Sequence, residues 1–158
     1  MTVKLRLSVM MFLQYAIWGS WAPVLSAYLQ NDLGFSGTQV GVIYSLLPLA
    51  TIISPFIAGQ VADRYFASEK LIAILQLSGG AVLLFVASIT DYSIMIWVML
   101  FYSLLYAPTL ALTNSIAMIN MEDTEKDFGV IRVWGTIGWI VAGLSLAFWR
   151  SLAADQQI

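Results

Sequence analysis

Five long stretches without a charged side chain constrain what this sequence can fold into more than any other feature. They cover residues 7–29, 40–62, 71–90, 94–119 and 133–149. A helix needs about 20 mostly apolar residues to cross a hydrocarbon layer about 30 Å thick, since each residue advances the axis by about 1.5 Å. The first four stretches meet that length. The fifth, between Arg132 and Arg150, is short unless its helix starts upstream and carries Arg132 inside it, so the spans are placed at 7–29, 40–62, 71–90, 94–119 and 130–149. The expected fold class is all-α: a polytopic membrane helix bundle of about five transmembrane helices.

Charge distribution supports this reading. Hydrophobic residues make up 60% of the chain and charged residues 10%, against about 45–50% and about 25% in an average soluble domain; a water-soluble fold of this size has no room to hide the excess apolar surface. The charged residues fall in short clusters between the spans, in connections 30–39, 63–70, 91–93 and 120–127 that are too brief to fold as separate domains. The first stretch is full length and runs into Gln30-Asn31-Asp32 rather than a small-residue cleavage site, so it reads as a retained helix and not a signal peptide. In short loops Lys and Arg stay cytoplasmic. Lys4, Arg6, Arg64, Lys70, Lys126 and Arg132 fall on one side of an alternating topology and Arg150 on the other, which places the N-terminus in the cytoplasm and 150–158 outside. Five crossings leave the C-terminus on the opposite face with no partner helix, so the chain is expected to be an incomplete part of a larger bundle.

Composition also narrows the chemistry. The chain has no Cys and no His, which removes disulfides, thiolate metal ligands and the side chain most used for proton transfer near neutral pH. Proton chemistry must fall to carboxylates, and all nine Asp and Glu lie outside the five spans. A net charge of -2 offers no basic surface for nucleic acid. No Ser-His or Cys-His pair, metal-ligand cluster or Gly-rich phosphate loop is present, so neither an enzyme nor a cofactor or metal is expected.

Four runs carry the polar residues of the spans. In the first span Gln14, Trp18 and Trp21 share a helix face at i, i+4 and i+7; an amide and two indoles suit a flat hydrogen-bonding ligand, and they suit ordinary aromatic packing equally. Pro23 follows, where a bend is tolerated if neighbours satisfy the freed carbonyl. At the end of the second span stands Gly59-Gln60-Val61-Ala62-Asp63-Arg64. Glycine permits close helix approach, and a carboxylate at a helix boundary pairs with a helix N-terminus or a basic partner, so Gly59, Asp63 and Arg64 form either a gating latch or a plain interfacial charge pair. In the fourth span Tyr106-Ala107-Pro108-Thr109-Leu110-Ala111-Leu112-Thr113-Asn114 sets Thr109 and Thr113 one turn apart with Asn114 beside them, fit for a ligand or for interhelical hydrogen bonds. In the fifth, Arg132, Thr136 and Trp139 share a face, with Gly135 and Gly138 between them open to another helix. An arginine at membrane depth marks a pathway or ligand site; the alternative is that it snorkels to the surface.

The runs FLQYAIWGSW, YAPTLALTN and IRVWGTIGW, in this order with a G-x-x-x-D-R loop between them, resemble the nucleoside:proton symporters of the major facilitator superfamily. The likeness extends through essentially the whole chain. It departs after Arg64, where Tyr65-Phe66-Ala67-Ser68-Glu69-Lys70 replaces the usual Gly-Arg and basic continuation, and at Gly129 and Trp139. The resemblance implies the N-terminal half of a secondary transporter that carries nucleosides inward across the cell inner membrane with a proton, by alternating access, with a C-terminal half still to be supplied. It implies that Arg132 and Thr136 contact the nucleoside and that Trp139 supplies an aromatic face. Gln14, Trp18 and Asn114 complete the candidate substrate contacts. A major facilitator transporter of another small polar solute, such as a sugar, or a non-transporting membrane scaffold are the rival readings.

Overall fold

A computed structural model of the chain describes the backbone of residues 2–64 and 67–155 and the side chains of residues 2–54 and 67–152. Among the described residues every regular element is a helix: α1 (Val3–Ala27), closed by a wide π turn at Tyr28–Asp32, then α2 (Gly37–Arg64), α3 (Ser68–Val86), α4 (Tyr92–Ile119) and α5 (Thr124–Asp155). Four helices contain segments long and apolar enough to cross a membrane, namely Gly37–Ser54, Ser68–Val86, Tyr92–Ile119 and Thr124–Leu152. α1 matches them in length, but Gln14, Ser20 and three ring-bearing residues with polar atoms, Tyr15, Trp18 and Trp21, dilute its apolar run. Large side chains such as Leu77, Leu84, Trp97 and Trp149 face outward, as they do where the solvent is lipid. The chain is a multi-pass membrane protein.

Local chemistry explains where the helices begin. Ser36 and Gln39 form a reciprocal capping box at the start of α2, the Ser36 N–H donating to Gln39 Oε1 at 2.8 Å and the Gln39 N–H to Ser36 Oγ at 3.3 Å. Gly34 precedes it with φ +71, a left-handed turn that only glycine enters without strain. Asp91 caps α4 by accepting from the Ile94 N–H at 3.0 Å, and α3 ends at Val86, short of residue 90, in a turn closed by the Ser88 and Ile89 N–H groups on the Phe85 and Val86 carbonyls. Asp123 caps α5 by accepting from the Lys126 N–H at 3.2 Å, and Glu125 and Asp127 occupy the first turn, where carboxylates complement the positive end of the helix dipole. Much of the acidic connection 120–127 is thus the first turn of a helix. Hydrogen bonds from the Lys126 side chain and backbone hold the Asp123 carboxyl below its ordinary value. That contribution is present above the normal carboxylate range and fades as pH falls through the lowered pKa, so the cap is charged at neutral pH.

The chain divides into two compact units, Leu29–Ile116 and the pair of segments Met1–Tyr28 and Ala117–Ile158. In the first, α4 is the most enclosed helix, with 44% of its span buried against 17% of α3. Tyr102 and Tyr106 stack one turn apart, centroids 5.7 Å apart and planes 15° from parallel, and Gly79 of α3 leaves room for the Tyr102 ring. Phe35 packs edge-on against Tyr92 at 5.5 Å. The α4 hydroxyls are largely spent on their own helix: Ser103 Oγ donates to the Met99 carbonyl, Thr109 Oγ1 to Tyr106 and Thr113 Oγ1 to Thr109. Thr109 also accepts from Gln76 Nε2 at 3.2 Å, tying α3 to α4. Thr109 and Thr113 therefore serve the helix and its neighbour.

In the second unit α1 and α5 run parallel. Lys4 meets Asp127 at one end, Phe12 meets Gly138 and Tyr15 meets Gly135 midway, and Pro23 meets Gly143 further on. At the start, Lys4 Nζ lies 2.8 Å from Asp127 Oδ2. The hydrogen bond to Asp127 raises the Lys4 pKa, so this clasp is fully present below the ordinary lysine range and is lost only as alkali passes the raised value.

Candidate functional site

Four glycines set the distance between α1 and α5. A Cβ built on Gly138 would strike the Phe12 carbonyl oxygen, with Phe12 C and Cα at 2.9 and 3.0 Å, and one built on Gly19 would strike the Trp139 carbonyl oxygen, with Trp139 Cα and C at 2.8 and 2.9 Å. Each helix thus offers a glycine to the other's backbone. Gly143 lies against the Gly19 carbonyl and Pro23, both at 3.6 Å. Gly135 is covered by the Tyr15 ring. Small residues at such contacts let two membrane helices approach closely enough for dispersion to hold them. In α5 the buried face is Ile131, Gly135 and Gly138, and it points at α1.

Beside that contact lies the stripe Arg132, Thr136, Trp139. α5 starts at Thr124, so Arg132 sits about 12 Å along its axis, inside the helix and not at its end. Side chains on a helix tilt toward its N-terminus, the direction a snorkelling arginine would take here. The Arg132 side chain goes the other way: Nη1 reaches within 2.9 Å of where a Gly135 Cβ would be, one turn further into the span. Its Cζ lies over the Tyr15 ring, 4.0 Å from the centroid. Thr136 is exposed one turn on, and the Trp139 side chain is 37% exposed although its backbone is pressed against Gly19. The arrangement presents a guanidinium, a hydroxyl and an indole in a row along one helix. Such a row can donate hydrogen bonds to carbonyl or hydroxyl oxygens and offer a ring for stacking.

The other expected site residues divide. Gln14, on α1, is buried at 3% exposure, and Trp18, half-buried, lies 6.4 Å from the Tyr15 ring at a 48° tilt. Asn114 belongs to the other unit, where its Oδ1 is buried without a hydrogen-bond partner among the described residues. Gly59, Asp63 and Arg64 lie on the last turns of α2, and their side chains fall outside the described residues. Among the described residues no group of three or more His, Cys, Asp or Glu is placed to hold a metal ion.

Sequence reasoning missed two members of the arrangement. Tyr15 stands one position off the Gln14, Trp18, Trp21 stripe, and only the packing of α5 shows that its ring faces Arg132. Gly19 sits inside the same aromatic run, with nothing in its neighbours to announce that another helix's backbone rests on it.

Comparison with known proteins gives the family and the fold. The sequence model of the Nucleoside H+ symporter family matches residues 1–157. The chain is 43% identical over 148 residues to the putative nucleoside transporter YegT of Escherichia coli, covering 94% of this chain and 35% of that protein. It is 42% identical to the xanthosine permease of Escherichia coli over 146 residues, 90% of this chain and 35% of that one. Among solved structures it superposes on the crystal structure of the nucleoside transporter NupG with a TM-score of 0.81 and 38% identity, over 90% of this chain and 36% of that one. The chain thus spans about a third of the length of these relatives, in their helical fold. A family match that spans residues 1–157 makes this chain a member of the Nucleoside H+ symporter family.

Proposed function

We propose that the chain supplies one wall of a secondary transporter that carries nucleosides inward across the cell inner membrane together with a proton. The observation that carries this is the Arg132, Thr136, Trp139 stripe on α5, with the arginine over the Tyr15 ring beside the glycine contact with α1. A nucleoside is uncharged, hydroxyl-rich and flat at its base. Arg132 and Thr136 donate to its oxygens and Trp139 stacks on the base; a cationic solute would be repelled by Arg132. Family membership and the nucleoside transport named for the relatives support the same substrate class.

Alternating access places the substrate near the bilayer midplane between two rocking halves, so the opposite wall comes from helices that complete the bundle. The coupling carboxylate belongs there too, because no acidic residue lies within the apolar runs of this chain. Within this chain Asp63, at the end of α2 beside Arg64, is the local alternative for the proton, and Gly59, Asp63 and Arg64 are the gating motif. The cluster of basic residues on one side of the spans supports a cytoplasmic N-terminus.

The test is uptake of labelled nucleosides by cells expressing the full-length protein that carries this chain, with a reporter fused to its N-terminus. Accumulation is expected to be competed by unlabelled nucleosides and not by sugars, to collapse when a protonophore dissipates the proton gradient, and to accompany a cytoplasmic reporter signal. Competition by sugars alone would replace the substrate class, and uptake indifferent to the protonophore would remove the symport.

Asn114 allows a separate check. A buried acceptor without a partner costs about 1–3 kcal/mol, so Asn114→Leu is expected to leave the thermal midpoint in detergent equal or higher while nucleoside uptake falls. Unchanged uptake would take Asn114 out of the substrate contacts.

A further inference from the structure

We propose that Tyr15 is the positioning residue of the substrate site, its ring serving as the counter-group that holds the Arg132 guanidinium inside the span while leaving the guanidinium's N–H donors uncommitted. The inference rests on the reading that Arg132 contacts the nucleoside.

A cation at membrane depth needs a partner, and a carboxylate is the usual one. Among the described residues no carboxylate pairs with Arg132, and its guanidinium lies over Tyr15, 4.0 Å from Cζ to the ring centroid. The consequence is chemical. A carboxylate would accept two of the five guanidinium N–H groups in a bidentate pair, whereas the face of an aromatic ring attracts the positive charge through its quadrupole and accepts none of them along their edges. The arginine is thereby held in place and keeps its donors for a ligand. An uncharged ligand with several oxygens profits most, since it brings no charge of its own to fix the arginine on arrival.

The surroundings make the arrangement specific. Tyr15 is 7% exposed, so its ring is held by packing and cannot follow a wandering side chain. Gly135 lies under the pair: a Cβ there would be 2.7 Å from Tyr15 Cδ2, 3.2 Å from Tyr15 Cε2 and 2.9 Å from Arg132 Nη1. The 2.7 and 2.9 Å distances are shorter than real Cβ contacts, so a side chain at 135 must displace the ring, the guanidinium or both. Glycine at 135 is thus the seat on which the cation and ring meet. Trp18 flanks Tyr15 at 6.4 Å and continues the aromatic surface along α1.

The experiment measures KM and maximal rate of nucleoside uptake in the full-length protein, normalised to the amount in the membrane. Tyr15→Leu, which removes the quadrupole, is expected to raise KM about 3- to 30-fold, the range spanned by cation–π contacts from exposed to desolvated settings, with maximal rate changed far less. Tyr15→Phe keeps the ring and retains most of the affinity. Replacing position 15 by progressively fluorinated phenylalanines, which drain the quadrupole at nearly constant shape, is expected to raise KM stepwise; a ring that merely fills space would show no such series. Gly135→Ala is expected to raise KM in the natural background and to add little in the Tyr15→Leu background, where the pair is already lost. A flat fluorination series, or Tyr15→Phe failing as badly as Tyr15→Leu, would overturn the proposal. Failure of the underlying reading shows differently: the unmodified protein would take up no nucleoside, or Arg132→Ala would leave KM unchanged.

Discussion

Arg132→Ala is expected to reduce nucleoside uptake at least about 100-fold while membrane insertion and the amount of protein stay normal. A hydrogen bond to a charged group contributes about 1.5–3 kcal/mol; at about 1.4 kcal/mol per tenfold, two such bonds exceed a hundredfold. Folding is not expected to suffer, because deleting this side chain removes a costly intramembrane charge and leaves no unpaired charge behind, its partner being an aromatic ring. Its contact with Tyr15 is face-on, and the ring keeps its packing within the α1 and α5 contact. Arg132→Lys retains the charge but not the planar fork, and is expected to recover only a small part of uptake. Uptake per transporter after Arg132→Ala, measured with labelled nucleoside, decides the matter: activity near that of the unmodified protein would end the assignment of Arg132 to the substrate.

The second large effect concerns assembly. Gly138→Ala and Gly19→Ala are each expected to lower the thermal midpoint of the purified protein substantially, with a net destabilisation of about 2 kcal/mol. Alanine is favoured over glycine inside a helix by about 1 kcal/mol, which taken alone predicts the opposite sign. Overpacking wins, at about 3 kcal/mol, because the added methyl meets backbone and not the end of a flexible side chain. For Gly138 the obstacle is the Phe12 carbonyl group and for Gly19 the Trp139 carbonyl group, so α1 and α5 must separate. Separation also moves Trp139 and Arg132, so uptake is expected to fall with stability. Gly80→Ala is the control: nothing stands within 4 Å of a Cβ there, and the propensity gain alone should leave the midpoint equal or slightly higher. A midpoint for Gly138→Ala no lower than that of Gly80→Ala would show that the two backbones are not in contact as described.

How much of this was legible beforehand differs from residue to residue. The helices were legible because lipid leaves a chain few alternatives: a backbone that cannot bond to water must bond to itself, so length and apolarity specify a helix without reference to any other part of the molecule. Their ends were less so. The acidic stretch before α5 has the composition of a loop, yet Asp123, Glu125 and Asp127 stabilise the start of a helix by capping and dipole interactions, which a count of charges does not register. Arg132, Thr136 and Trp139 were visible as a stripe, since helical periodicity is a property of one segment.

What the sequence by itself determined is therefore what one helix decides alone: apolar helices long enough to cross a membrane, the face on which polar groups line up, and membership in a family whose motifs lie in order along the chain. Which way Arg132 turns, into the span or back to the surface, was open in the sequence, because both directions suit a flexible side chain of that length. Tertiary structure decided it. α1 brings the Tyr15 ring to the deeper side of Arg132, the bare backbone at Gly135 leaves space for the guanidinium to reach it, and the reciprocal contacts of Gly19 and Gly138 hold the two helices near enough for the attraction to act. An attraction between a cation and a ring falls off within a few ångströms, so it belongs to neither helix separately and exists only once their backbones touch.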